Sequence, residues 1–145
     1  MNFFSKKYVI LKLSELRPHE EVQEELLSKL IQDIETSKHL IRPIAVDQKT
    51  KVILDGHHRV AALRRLGCDY VPAYEFNYQD NAIKVLQTRE GRSVNKKEII
   101  AAGLKGSIYP PKSTRHMVTL NGISTHISEV EKENPTLLKD LKRDH

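Results

Sequence analysis

Residues 54–62 read Leu-Asp-Gly-His-His-Arg-Val-Ala-Ala, LDGHHRVAA. A carboxylate, a glycine, two histidines and an arginine stand where the apolar run Lys51 to Leu54 gives way to a helical pattern. In that pattern Val60, Leu63 and Leu66 share one stripe, and Gly67 suits the stop. Gly56 lets the chain turn sharply between strand and helix and lets a ligand approach the backbone. The N–H groups of the helix's first turn point into the same space, where negative charge is favoured by about 0.3–1 kcal/mol. Phosphate is the usual occupant of such a place. Arg59 adds forked donors, and Asp55 suits a phosphate-associated Mg²⁺. The alternative is a plain turn, with Asp55 capping the helix and the histidines facing solvent; spacing alone leaves both readings open. A zinc site from His57 and His58 fails, because adjacent helical residues do not point to one spot and no third ligand is evident.

Working outward, PIAV (Pro43 to Val46) and KVIL (Lys51 to Leu54) read as paired strands joined by DQKT. YVILKL (8–13) reads as a first strand, and DYVPAYEF as another, with Pro72 marking an edge or a strand start. Apolar residues at helical spacing predict a helix from Glu21 to about Ser37, and Asn95 caps a helix KKEIIAAGLK that Gly106 ends. Asn81 to Thr88 leans to helix. YPPKSTRHMVTL is a proline-stiffened loop leading into a strand, and the charged stretch from Ile127 onward reads as helical pieces on the surface. The expected fold class is α+β (mixed α/β): a small mixed sheet with flanking helices, one domain over 1–145, core about 8–120, with a charged helical tail over 121–145.

A chain of 145 residues can bury a core without disulfides. Its 39% hydrophobic and 30% charged residues are those of a globular protein, and no apolar run approaches a membrane span. The net charge of +5 attracts anions without distinguishing nucleic acid from nucleotides. The single cysteine, Cys68, excludes an internal disulfide and reads as a small buried hydrophobe. The start MNFFSKKYVILKL lacks the layout of a signal peptide, so the expected location is the cytoplasm. Low aromatic content and a surface rich in Glu, Lys and Arg are compatible with a thermophilic source.

Two further stretches carry chemistry. His19-Glu20, at the turn before the first long helix, offers a carboxylate that serves either as general base or as an ordinary acid at a helix start. PPKSTRH, Pro110 to His116, presents a lysine, hydroxyls, an arginine and a histidine, an anion clamp or a chance surface set. Together with the Asp55–Arg59 stretch, these are the parts phosphoryl transfer needs, since its catalysis is mostly positioning and charge neutralisation.

The run from Tyr8 to about Phe76 resembles the ParB/sulfiredoxin-like fold, whose glycine–x–x–arginine–x–x–alanine box falls on Gly56, Arg59 and Ala62. Sulfiredoxins place their catalytic cysteine directly after the glycine, where this chain has His57. ParB partition proteins bind CTP and DNA and continue into a helix-turn-helix domain, for which little sequence follows here. The free L-serine kinase family looks like this chain at His19-Glu20, at Asp55 to Arg59 and at Pro110 to His116, although its better-known archaeal members are longer.

That resemblance implies an ATP- or ADP-dependent phosphotransferase of amino-acid metabolism and cysteine biosynthesis. It would make O-phospho-L-serine from free L-serine, with a nucleotide-dependent DNA-binding ParB relative as the alternative. Glu20, Asp55 and His57 would be catalytic, with Glu20 the base. Gly56, His57, His58, Arg59, Ser113, Thr114, Arg115 and His116 would hold the phosphates, Asp55 the Mg²⁺, and Glu20 and Arg42 the serine. L-serine and nucleotide are the expected partners of a monomer or homodimer, with neither membrane nor nucleic acid expected.

Overall fold

The runs on either side of DQKT do pair, antiparallel, with Ala45 opposite Asp55 and Val46 opposite Ile53. They belong to a computed structural model that describes residues 6–87, 94–106, 109–111 and 113–142. In chain order its elements are β1 (Lys6–Lys12), α1 (Glu24–Ser37), β2 (His39–Leu40), β3 (Ile44–Asp47), β4 (Ile53–Asp55) and α2 (His57–Arg65). They continue as β5 (Tyr70–Phe76), β6 (Ile83–Gln87), α3 (Lys96–Lys105), β7 (Thr114–Leu120), β8 (Ile123–His126) and β9 (Thr136–Leu137). The main sheet runs β1-β5-β3-β4; β2 pairs with β9, and β6-β7-β8 form a separate sheet.

Both faces of the main sheet are covered, which is why its inner strands read as unbroken apolar runs. Ile44, Val46, Ile53, Val71 and Ala73 face one core, together with Leu27 and Ile34 of α1 and Val60 and Leu63 of α2. Ala45, Leu54, Tyr74 and Phe76 face a second core shared with Ile83, Ile99, Val118 and Ile127. Successive residues of one strand thus serve opposite cores, as a two-residue period requires. Cys68 is a buried member of the first core.

Four expectations are corrected. Pro72 lies on an interior strand, between β1 and β3. It is tolerated because pairing with β3 begins only at Ala73, so on that side the proline stands at a strand start. The first long helix begins at Glu24 rather than Glu21: Gln23 is extended (φ −94°, ψ 125°) and stands as the N-cap. The segment before it runs along Tyr109, whose carbonyl accepts the Glu21 N–H, while the His58 ring accepts that of Gln23. The segment leaning to helix over Asn81–Thr88 is strand β6: Ile83 and Val85 face the core and Lys84 and Leu86 are exposed, a period of two rather than 3.6. Thr88 lies outside the described residues.

Nor is the charged stretch after Leu120 a surface helix. It supplies β8, 3-10 turns at Ile127–Val130 and Leu138–Leu141, and β9. Its sparse apolar residues are anchors: Ile127 and Val130 enter the second core and Leu141 the first, leaving most of the charges outside.

Between β4 and α2, Gly56 has φ +109°, a conformation that side chains disfavour. A Cβ there would also lie 2.5 Å from Ile44 Cγ2. Gly56→Ala is therefore expected to lower the unfolding free energy by about 2–4 kcal/mol, strain and overpacking adding together. Chemical denaturation would measure this, and a loss below about 0.5 kcal/mol would show that the junction relaxes freely.

Candidate active site

Strand β4 delivers Asp55 to the end of the sheet, Gly56 turns the chain, and α2 begins at once, its N-cap residue being a glycine with no side chain to cap the first turn. The mouth of this junction is a cleft of about 810 Å³. Its walls include Glu20, Arg42, Asp55–Arg59, Thr114–His116 and His126, with Leu30 and Ile41 as apolar surface. The stretches singled out by sequence therefore converge on one place.

The two histidines of α2 have a shared task. His57 Nε2 accepts the backbone N–H of His19 at 3.1 Å, and His58 Nε2 accepts that of Gln23 at 2.9 Å. The rings do diverge, and they grip the two ends of the segment that carries Glu20. The same segment is pinned on its other side by Tyr109, which donates to the His19 carbonyl at 2.8 Å and accepts from Glu21 N at 2.8 Å. An imidazole nitrogen accepts only while it lacks a proton. Desolvation, followed by the charges of neighbouring histidines and Arg59, holds His57 well below the usual histidine range and keeps it neutral.

Glu20 is oriented by Thr114, whose hydroxyl donates to Glu20 Oε2 at 2.9 Å. His19 Nε2 lies 3.0 Å from the same hydroxyl oxygen. Because the hydroxyl proton is given to Glu20, His19 is the donor in that contact, and its proton sits on Nε2. His19 is fully buried, burial lowers it to about 4 against an upward pull from the Ile53 backbone, and among the described residues its Nδ1 has no partner in hydrogen-bonding geometry. Its ring packs edge-on against His57 with centroids 4.6 Å apart. A chain His19–Thr114–Glu20 thus crosses from the helix junction to β7. A second cleft of about 480 Å³ lies behind the segment, and Glu20 and His57 stand in the wall between the two.

Three residues expected on phosphates have their side chains committed elsewhere. The Ser113 hydroxyl donates to the Pro110 carbonyl. The His116 ring is buried, bonded through Nε2 to the Tyr78 hydroxyl at 2.7 Å, and lowered to about 3 chiefly by burial. Arg59 spends its guanidinium on Asp55 and Glu131, each at 3.1 Å, and on the carbonyls of Arg42 and Pro43. Arg42 and Arg115 line the cleft and are exposed, while Lys112 lies outside the described residues.

Glu131, from the stretch expected to be a surface tail, is 1% exposed and shares one Arg59 nitrogen with Asp55. Burial pushes its carboxyl up to about 9 against the pull of Arg59, and the neighbouring Asp55 adds to the rise. Asp55 stays low: burial opposes its ionisation but is outweighed by the Glu131 hydrogen bond and by Arg59, His126 and His116. The pair holds one proton, and Glu131 carries it. Nothing in the sequence around Glu131 signals this, since neither hydrophobic period nor motif surrounds it.

No family model matches the chain. Curated relatives are a ParB-like protein of Sulfolobus acidocaldarius, 40% identical over 73 residues, and an ADP-dependent L-serine kinase of Thermococcus kodakarensis, 29% identical over 82. A third is an ATP-dependent L-serine kinase of Staphylothermus marinus, 33% identical over 81 residues. These matches cover 49%, 54% and 53% of this chain and span about a third of each relative: 35%, 34% and 32%. Among solved structures, a free serine kinase in complex with AMP superposes with a TM-score of 0.72, covering 92% of this chain and 93% of that one at 17% identity. The chain has the free serine kinase fold. This serine-kinase fold has also been solved with a single glutamate replaced by alanine, in complex with ADP. Among the described residues no helix is long and apolar enough to cross a membrane.

A buried acid with a raised pKa makes the native state bind a proton that the unfolded chain has lost. Between about 4.5 and 9 the Glu131 proton is held only in the fold, so stability falls as pH rises, by at most ~1.4 kcal/mol per pH unit. Glu131→Gln keeps a donor toward Asp55 without that proton linkage. Its thermal midpoint is expected to gain on wild type as pH rises from 5 to 8.5; parallel curves for the two proteins would contradict the assignment.

Proposed function

We propose that this chain phosphorylates the hydroxyl of free L-serine, using ADP or ATP as donor, to give O-phospho-L-serine. The observation that carries the reading is the Thr114–Glu20 bond, which holds a carboxylate at a cleft lined by the start of α2. The L-serine kinase relatives and the nucleotide-bound free serine kinase structures support the donor and acceptor classes. Free serine and nucleotide meet in the cytoplasm, which is where this reaction would run.

In this reading the N–H groups of His57, His58 and Arg59 receive the phosphates, and Arg115 approaches from β7. The Glu20 carboxylate takes the serine hydroxyl proton while the oxygen attacks the terminal phosphorus. The bond from that phosphorus to the bridging oxygen breaks, and AMP or ADP leaves. Thr114 and His19 keep Glu20 aimed, Arg59 and Glu131 brace Asp55, and Arg42 receives the serine carboxylate.

A Mg²⁺ entering with the nucleotide fits Asp55, an ionised carboxylate on the cleft wall. Among the described residues no group of three His, Cys, Asp or Glu gathers to hold a resident ion. One carboxylate together with phosphate oxygens is how Mg²⁺ is usually bound, and its charge would offset that of the phosphates.

The test is to incubate the protein with L-serine, Mg²⁺ and either ADP or ATP and to assay O-phosphoserine. Glu20→Gln is expected to lower kcat about 10²–10⁴-fold while nucleotide affinity stays near wild type; loss of affinity instead would remove Glu20 from the base role. The ParB-like relative keeps one alternative in play. No product with either nucleotide, together with salt-sensitive retention of DNA, would favour a nucleotide-gated DNA-binding protein.

A further inference from the structure

We infer that His126 is a phosphate ligand, its Nε2–H donating to an anionic oxygen of the nucleotide in the cleft. This rests on reading the cleft as a nucleotide site and adds a residue that none of the three sequence stretches contains. His126 ends β8, paired antiparallel with β7 at Met117, and its side chain lines the cleft.

Its tautomer is set by the turn that follows. Nδ1 accepts the backbone N–H of Ser128 at 3.0 Å and lies 2.8 Å from the Ser128 hydroxyl. A nitrogen that accepts from an amide carries no proton, so in the neutral ring the proton is on Nε2. That nitrogen has no partner among the described residues and is not among the buried polar atoms.

The contrast with the other histidines is chemical. The Nε2 atoms of His57 and His58 accept amides, and those of His19 and His116 are bonded to Thr114 and Tyr78. His126 instead presents an Nε2–H with nothing yet to receive it among the described residues. It lies near enough to Asp55 to favour that carboxylate's ionised form. Both residues, together with the first turn of α2, line the same cleft. Phosphate oxygens accept such bonds, and a fixed donor requires no reorganisation when they arrive.

The test separates this role from the capping of the turn. In His126→Asn the amide oxygen can still accept from Ser128 N–H, but no donor reaches the Nε2 position. In His126→Gln an amide N–H reaches about that far. ADP titrated calorimetrically into each protein, without serine, should bind His126→Asn about 10- to 100-fold more weakly than wild type. His126→Gln should recover most of that loss, and the thermal midpoint of His126→Asn should stay near wild type. Unchanged ADP affinity in His126→Asn would overturn the assignment, as would equal losses in both variants with both midpoints lowered. A wild type that binds ADP yet makes no phosphoserine would end the kinase reading, while the Asn and Gln comparison would still decide the role of His126. A wild type that binds neither ADP nor ATP would end both.

Discussion

Two backbone N–H groups, those of His19 and Gln23, end on the imidazole nitrogens of His57 and His58. The rest of the site hangs from this pair of contacts. They fix the segment between the donors at both ends, so Glu20 is presented by a loop whose backbone groups are spent on tertiary partners. They join the start of α1 to α2, a contact also made by the Arg65–Glu24 ion pair. They also require neutral rings, which burial among neighbouring positive centres supplies for His57. An electrostatic condition thereby becomes a geometric one, because these two contacts last only while the rings can accept.

A second node makes the opposite arrangement with acids. Asp55 and Glu131 meet at one arginine, and the pair resolves its repulsion by holding a proton on the more buried partner. Arg59 thereby keeps Asp55 charged and ties the chain after β8 to the mouth of α2. The glycine–x–x–arginine spacing acquires a physical sense here: Gly56 allows the turn, and one helical turn later Arg59 reaches back across it to the carboxylate at the strand end.

Much of this was legible in sequence where a local rule governs. Strand pairing around DQKT, the Asn95 cap and the Gly56 turn follow from period and backbone preference, and the structure has them. The stretches that converge on the cleft were separable by residue type alone. What sequence could not supply was the partner of each side chain. Ser113, His116 and Arg59 are chemically suited to phosphate, but nearby carbonyls, Tyr78 and the acids claim them. His57 and His58 looked like ligand donors and act as acceptors for a loop thirty-odd residues earlier in the chain. Glu131 was hidden in a run of charges because a lone buried acid has no period to betray it. β6 was ambiguous because five residues are too few to tell one period from another.

The cleft walls come from positions as far apart as Glu20 and Glu133. As the chain leaves the ribosome, Glu20 is made early, the helix that grips its loop follows, and the Thr114 that aims it comes much later. The acid that neutralises itself beside Asp55 comes later still. Closing so long a loop is slow, and its entropy must be met before the contacts return anything. A partly synthesised chain would carry the Glu20 carboxylate without the hydroxyl that orients it until synthesis has passed Thr114, and without the partner of Arg59 until it has passed Glu131.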